Sequence, residues 1–300
     1  MKLKLLFILM LMMIFTSCKD NKNTIRIATK PMTEQFILGE MLAQIIEDNT
    51  DYDVEITKGI GGGTSNIHPA LMKGEFDLYP EYTGTGWLVV LKHDAFPAPE
   101  ELYKELKKEY KDKYDFDWIA PYGFNNAYSL AVSNATAKKY GLKKFSDLAK
   151  YPDTFTLGAE YDFFEIPKGY KELCDFYNLK FKQNLDMDIG LKYEAIKSGK
   201  IDIMNIFTTD GQLSGADLTV LQDDKQFFPT YYCATVVRDD ALKSHPGLEE
   251  ALMKMNNILT DSEMSDLNYQ VEVKGRSEKD VAKEFLVKKG LLSKAENHGK

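Results

Sequence analysis

Three hundred residues, 28% of them charged and 44% hydrophobic, describe an ordinary globular chain long enough for about two domains or lobes. The net charge is −8, and the lysine-rich stretch 104–113 is interleaved with Glu and Asp, which argues against a nucleic-acid-binding surface.

Lys2 and Lys4 precede an apolar run over 5–15 that falls short of the ~20 residues needed to span a bilayer and suits a secretory signal. Residues 1–17 are therefore expected to be a signal peptide. Phe15-Thr16-Ser17-Cys18 resembles the lipobox of bacterial lipoproteins, although Phe is a less usual first residue. The resemblance implies a lipid on Cys18, a polar tether over 18–24 and an extracytoplasmic body held at the cell membrane. The alternative is a common signal peptide followed by a free cysteine. Export permits a disulfide between Cys174 and Cys233, but their helix-like and strand-like surroundings favour two free thiols.

In chain order, 25–29 is a short strand, 33–48 an amphipathic helix, 54–57 a strand, 64–73 a helix after a glycine-rich loop, and 76–79 a third strand stopped by Pro80. Two consecutive strand–helix–strand units predict a parallel sheet, with the loops at 29–33, 59–65 and 80–86 gathered on its carboxyl edge, where ligands sit. A charged surface helix covers 97–114. A strand at 117–121 and a turn-rich crossing at 123–128 lead to a second β/α lobe. It has strands at 129–132, 154–158, 202–207 and 219–221, and helices at 135–141, 146–150, 169–177 and 192–199. A strand at 231–237 is followed only by helices, at 245–259, 261–271 and 277–289. The second of these sits behind a Thr260-x-x-Glu263 capping pattern. The expected lobes are 25–124 with 233–300, and 125–232, joined by two crossings.

Catalytic and cofactor signatures are missing. His68, His93, His245 and His298 have no partners at metal-ligand spacing, and the chain lacks CxxC, GxSxG and GxxxxGK[ST] patterns. Lys58–Thr64 fails the third glycine of a dinucleotide loop; it reads either as a flexible turn or as glycines that aim a helix start at the cleft, where an anion is favoured. Glu160, Asp162 and Glu165 are grouped, but surface carboxylates are far commoner than acid–base pairs. No enzyme and no cofactor are expected.

Asp77-Leu78-Tyr79-Pro80-Glu81-Tyr82-Thr83-Gly84-Thr85, Gly123-Phe124-Asn125-Asn126-Ala127-Tyr128, Asn205-Ile206-Phe207-Thr208-Thr209-Asp210-Gly211 and Phe228-Pro229-Thr230-Tyr231 follow Ala28-Thr29-Lys30-Pro31-Met32-Thr33-Glu34-Gln35 in order. Together they resemble the substrate-binding proteins of ABC importers for quaternary ammonium solutes: glycine betaine, choline, carnitine and proline betaine. The resemblance implies a type II periplasmic-binding-protein fold, two α/β lobes on a two-strand hinge with the ligand between them, and a membrane permease as partner of a monomeric binding protein. It also implies an aromatic cage of Tyr82, Tyr128, Phe207 and Tyr231, with Lys30 and Thr85 gripping a ligand carboxylate. A trimethylammonium group has charge but no N–H, so ring faces suit it, at ~0.5–2 kcal/mol per cation–π contact. Among 17 Tyr and 17 Phe, any single ring is by default a core side chain. The set stands out because each member falls at a strand end or a hinge. Two positions depart from the pattern: Phe207, where Tyr is usual, and Ile166, where an Arg often braces the carboxylate, with Lys168 the nearest cation. The alternatives are a binding protein for another small anion or amino-acid-like solute, or an enzyme on the same fold.

Overall fold

The structure is a computed structural model that describes residues 23–165 and 168–292. The expected signal peptide, Cys18 and Ile166 lie outside the described residues. Two five-stranded sheets organise the chain, in the orders β2-β1-β3-β10-β4 and β7-β6-β8-β5-β9. The first contains β1 (Thr24–Ala28), β2 (Asp53–Thr57), β3 (Leu78–Tyr82), β4 (Phe116–Ile119) and β10 (Cys233–Arg238). The second contains β5 (Tyr128–Ser133), β6 (Thr156–Ala159), β7 (Gln183–Asp186), β8 (Ile203–Phe207) and β9 (Leu218–Leu221).

β1 runs parallel to β2 and β3, as the strand–helix–strand order predicts, but β10 is antiparallel to both β3 and β4, so the sheet is mixed. The second sheet is mixed as well, because β5 lies antiparallel to β8 and β9. Each antiparallel strand is the one that follows a crossing from the other sheet. The two crossings are tied together by a bridge between Asn125 and Tyr232 and by Asn126 N donating to Tyr231 O at 3.2 Å.

Each sheet is covered on both faces. On the first, Ile37, Leu38, Met41 and Ile45 of the Thr33–Asn49 helix pack with Met264 and Leu286 of the C-terminal helices. Leu102, Leu106 and Tyr110 of the Pro99–Tyr114 helix cover the opposite face together with Trp87 and Trp118. Trp87 is therefore core, its indole N–H donating to Ala95 O at 2.7 Å. The Thr260–Glu263 capping box forms as expected, with Glu263 N donating to Thr260 Oγ1 at 3.2 Å and Thr260 N to Glu263 Oε2 at 3.0 Å.

Three local expectations change. Pro80 does not end β3 but lies inside it, opposite Thr235. Pairing with β1 is confined to Leu78, so beyond that residue β3 keeps one neighbour and tolerates a residue without an N–H. The expected 245–259 helix shortens to Leu248–Met253, and an additional helix, Asp239–Ser244, precedes it, the two parted by Pro246 and by Gly247 at φ 89°. β7, a polar QNLD edge strand, carries no hydrophobic alternation and escaped sequence reading. Cys174 and Cys233 are free thiols, half-buried and buried respectively.

Candidate binding site

Tyr82 ends β3, and the chain turns at once into a short helix, Thr83–Thr85. Thr83 stitches this turn to the second crossing: its N–H donates to Tyr232 O at 2.9 Å and its hydroxyl to Thr230 O at 3.1 Å. Gly84 is required here for space. A Cβ on it would lie 2.6 Å from Cδ1 and 2.7 Å from Cζ of Tyr231, so the missing side chain is what lets that ring lie against the turn. On the other lobe Tyr128 opens β5 and Phe207 closes β8. The two are directly paired across the antiparallel ladder, with ring centres 4.4 Å apart and planes 32° apart. Phe163 and Phe228 stand behind Tyr128 at 5.4 and 5.9 Å.

These pieces enclose one cavity of about 240 Å³ lined by Tyr82, Thr85, Tyr128, Phe207 and Tyr231, together with Asn126 and Ala127. A cavity of that size suits a small solute. Its walls are chiefly rings, drawn from the end of β3, the hinge crossings and the second sheet. Burial first, and then the charges of Glu160 and Asp162, push the Tyr128 phenol up to about 12. It therefore offers a neutral ring at physiological pH.

Lys30, the sixth residue inferred from sequence, stands behind this wall. Its ammonium is ion-paired with the fully buried Glu81 and lies 4.7 Å from the centre of the Tyr82 ring. Thr64 Oγ1 donates to the other Glu81 oxygen at 2.6 Å. The three strand-end loops thus converge as expected, and the anion they hold is the protein's own carboxylate. Lys168 is likewise engaged away from the cavity, 4.9 Å from the Phe227 ring centre and 3.9 Å from Glu172. Glu160 is bound inside the second lobe, ion-paired with the buried Lys192 and accepting from Asn205 Nδ2 at 2.5 Å. Its role there is structural.

Sequence reading passed over Glu34, in the first turn of the Thr33–Asn49 helix. It is only 3% exposed, and burial holds its carboxyl above the usual range. Tyr82 Oη donates to it at 2.5 Å, Asn126 Nδ2 at 3.1 Å and Asn268 Nδ2 at 3.4 Å. One carboxyl group thereby joins the Tyr82 ring, the first crossing and a C-terminal helix. An acid in a first helical turn normally signals only a favourable dipole contact, so composition alone gave no cue to this role. Asn126 was similarly hidden inside a segment whose conspicuous residue is Tyr128. Among the described residues no group of His, Cys, Asp and Glu is arranged to hold a metal, and no helix is long and apolar enough to cross a membrane.

Two mixed α/β sheets joined by paired crossings, with a ring-walled cavity between them, define a type II solute-binding protein. The family described as the substrate binding domain of ABC-type glycine betaine transport systems matches residues 23–288, and the chain belongs to that family. It is 45% identical over 266 residues to the ergothioneine transport permease/ergothioneine binding protein EgtU of Helicobacter pylori, covering 88% of this chain but only 47% of that longer protein. It is 35% identical over 271 residues to the carnitine transport binding protein OpuCC of Listeria monocytogenes, covering 90% of this chain and 88% of that one. Among solved structures, a glycine betaine/carnitine/choline ABC transporter protein superposes with a TM-score of 0.85 at 32% identity, over 90% of this chain and 100% of that chain.

Proposed function

We propose that this protein captures a quaternary ammonium compatible solute outside the cytoplasm and delivers it to the permease of an ABC importer. The observation that carries the reading is the cavity walled by Tyr82, Tyr128, Phe207 and Tyr231, with Thr85 at its rim. A trimethylammonium head enters among the rings and gains ~0.5–2 kcal/mol per desolvated cation–π contact, which several rings multiply into useful affinity. Fully methylated cations are favoured, and primary ammonium ions lose more hydration than the rings return. Thr85 contributes a hydroxyl to the ligand carboxylate. Lys30 acts from behind Tyr82, its charge reaching the carboxylate only if Glu81 shares it.

Glycine betaine, carnitine and choline are in the range supported by the family. Ergothioneine, named for the Helicobacter relative, is a second candidate because it carries the same trimethylammonium and carboxylate on a histidine skeleton. The task is capture, as the match to the family of transport substrate-binding domains supports. Cys18 is the lipid attachment point and the 18–24 segment the tether, with the lobes at 25–124 plus 233–300 and at 125–232 working as a monomer. Isothermal titration of the protein with glycine betaine, choline, carnitine, proline betaine and ergothioneine tests the assignment. At least one must bind with measurable heat, and an absence of heat with all five contradicts it. Metabolic labelling with a fatty acid, lost in Cys18→Ser, tests the anchor.

A further inference from the structure

The Asp261–Glu272 helix carries two stripes. Met264, Leu267 and Val271 pack into the core of the first lobe. Ser265, Asn268, Tyr269 and Glu272, spaced i, i+3, i+4 and i+7, form the neighbouring stripe and meet the second lobe at the segment 209–215 that follows β8. Ser265, only 3% exposed, donates its hydroxyl to Asp210 O at 2.7 Å. Asn268 Nδ2 donates to Thr209 O at 2.9 Å, and at the rim Ser214 Oγ donates to Asp266 Oδ1 at 3.1 Å.

The packing along this seam is as close as the bonding. Gly211–Gly215 is a short 3₁₀ helix with a glycine at each end. A Cβ on Gly211 would lie 3.0 Å from both Asn268 C and Tyr269 N, which are helix backbone and cannot turn aside. One on Gly215 would lie 2.8 Å from the Tyr269 ring. A side chain at either place would therefore press the lobes apart. The same segment is tied to the cage. Thr208 N donates to Ala127 O at 3.0 Å, and Phe207 N donates to Asp210 Oδ2 at 3.2 Å. At the start of the helix, Asp261 Oδ1 accepts from Asn125 N at 2.7 Å. Sliding 209–211 along the helix thus moves Phe207 and the crossing that leads into Tyr128. Ser265, Tyr269, Gly211 and Gly215 are not among the residues that line the cage cavity.

We propose that this seam is a brace that sets the angle between the lobes, and that Ser265, Gly211 and Gly215 are positioning residues for binding. They hold the second lobe where Tyr128 and Phe207 share one cavity with Tyr82 and Tyr231, without touching the solute. Two crossing strands alone leave the lobes free to rotate about the hinge. A solute that needs rings from both lobes binds only the fraction of molecules in which the lobes stand at the right angle, and its apparent affinity falls in proportion when that fraction falls. Because the brace lies outside the cage, loosening it weakens every solute by the same factor, whereas a change in a cage ring discriminates by head group. In its consequence for binding the brace rests on the proposed function; its effect on the lobe angle does not.

Ser265→Ala deletes a bond of the brace, and Gly211→Ala drives a wedge into it. Gly215→Ala is a milder wedge, at an exposed position and against a ring instead of backbone, and serves if Gly211→Ala does not fold. Small-angle X-ray scattering of the whole protein without added solute reads the lobe angle. Titration calorimetry with glycine betaine, choline, carnitine, proline betaine and ergothioneine reads affinity. The expected result is a radius of gyration above that of wild type for Ser265→Ala and for the folded glycine variant, returning to the wild-type value at saturating solute. Affinity should fall about fivefold in Ser265→Ala, in keeping with one ordinary hydrogen bond, and by the same factor for every solute that binds. A radius of gyration equal to that of wild type, an unchanged or tighter affinity, or a loss confined to one solute overturns the brace. Expanded variants of a protein that binds none of the five solutes would uphold the brace and contradict the proposed function, so the two fail separately.

Discussion

Truncating Tyr128 is the sharpest perturbation of the cage. Tyr128 supplies one ring face and also holds Phe207, whose centre is 4.4 Å away, in its orientation. Tyr128→Ala removes one cation–π contact and frees a second ring to turn. The expected loss in ligand affinity is roughly 1–3 kcal/mol, or about 5- to 150-fold. Tyr128→Phe keeps the ring and its stacking and discards only a hydroxyl that stays protonated, so its affinity should lie within about threefold of wild type, a difference near 0.6 kcal/mol. Titration calorimetry with whichever betaine binds wild type reads both, after thermal unfolding shows that each variant is folded. Two results refute the reasoning: Tyr128→Ala binding like wild type, or Tyr128→Phe losing as much as Tyr128→Ala. The second would mean that the hydroxyl, and not the ring face, holds the ligand.

Gly84→Ala should weaken binding by moving Tyr231 out of the wall, with an overpacking cost of about 1–3 kcal/mol; a variant of unchanged affinity would show that Tyr231 is not needed there. Lys30→Met should destabilise the fold by about 3–5 kcal/mol in urea unfolding, because it strands the buried Glu81 carboxylate; unchanged stability would mean that Lys30 is no part of the lobe's framework. His68 is buried against Tyr110, Tyr114 and Phe116, with both ring nitrogens unpartnered, and burial lowers it to about 4. Its folded value lies below the unfolded one, so protonation favours the unfolded chain. Stability tied to His68 is complete above about pH 6.5 and falls as the pH drops toward 4, by up to roughly 3 kcal/mol. His68→Phe should flatten that part of the pH–stability curve, and an unaltered slope would argue against a buried neutral imidazole.

Sequence periodicity identified most elements, because each buried face repeats its apolar residues at helical or strand spacing. It failed where tertiary context overrides local rules. Pro80 is tolerated because only one neighbour pairs with that part of β3, and β7 is a polar edge that packing alone recruits. That the four rings and Thr85 stand at strand ends and crossings was legible from the distinctive segments that carry them, and the fold brings them to one cavity. The partner of Lys30 was not. Its ion pair with Glu81 joins residues 51 positions apart, and nothing in either segment announces that two charges will be buried together. Glu34, Asn126 and Asn268 went unseen for the same reason. Their roles arise from being brought to one point by the hinge and the C-terminal helix, which no spacing along the chain encodes.

Aromatic faces that hold a permanent positive charge are the core of the proposed function. That role is tested most directly by comparing glycine betaine with 3,3-dimethylbutanoate, which has the same carboxylate and nearly the same shape but a neutral carbon in place of nitrogen. If the rings act through their quadrupoles, calorimetry should find the charged ligand at least about tenfold tighter, corresponding to about 1.4 kcal/mol or more spread over the cage. Equal affinity for the two, or tighter binding of the neutral one, would mean that the cavity selects shape and apolar contact alone, and would contradict a cation–π cage.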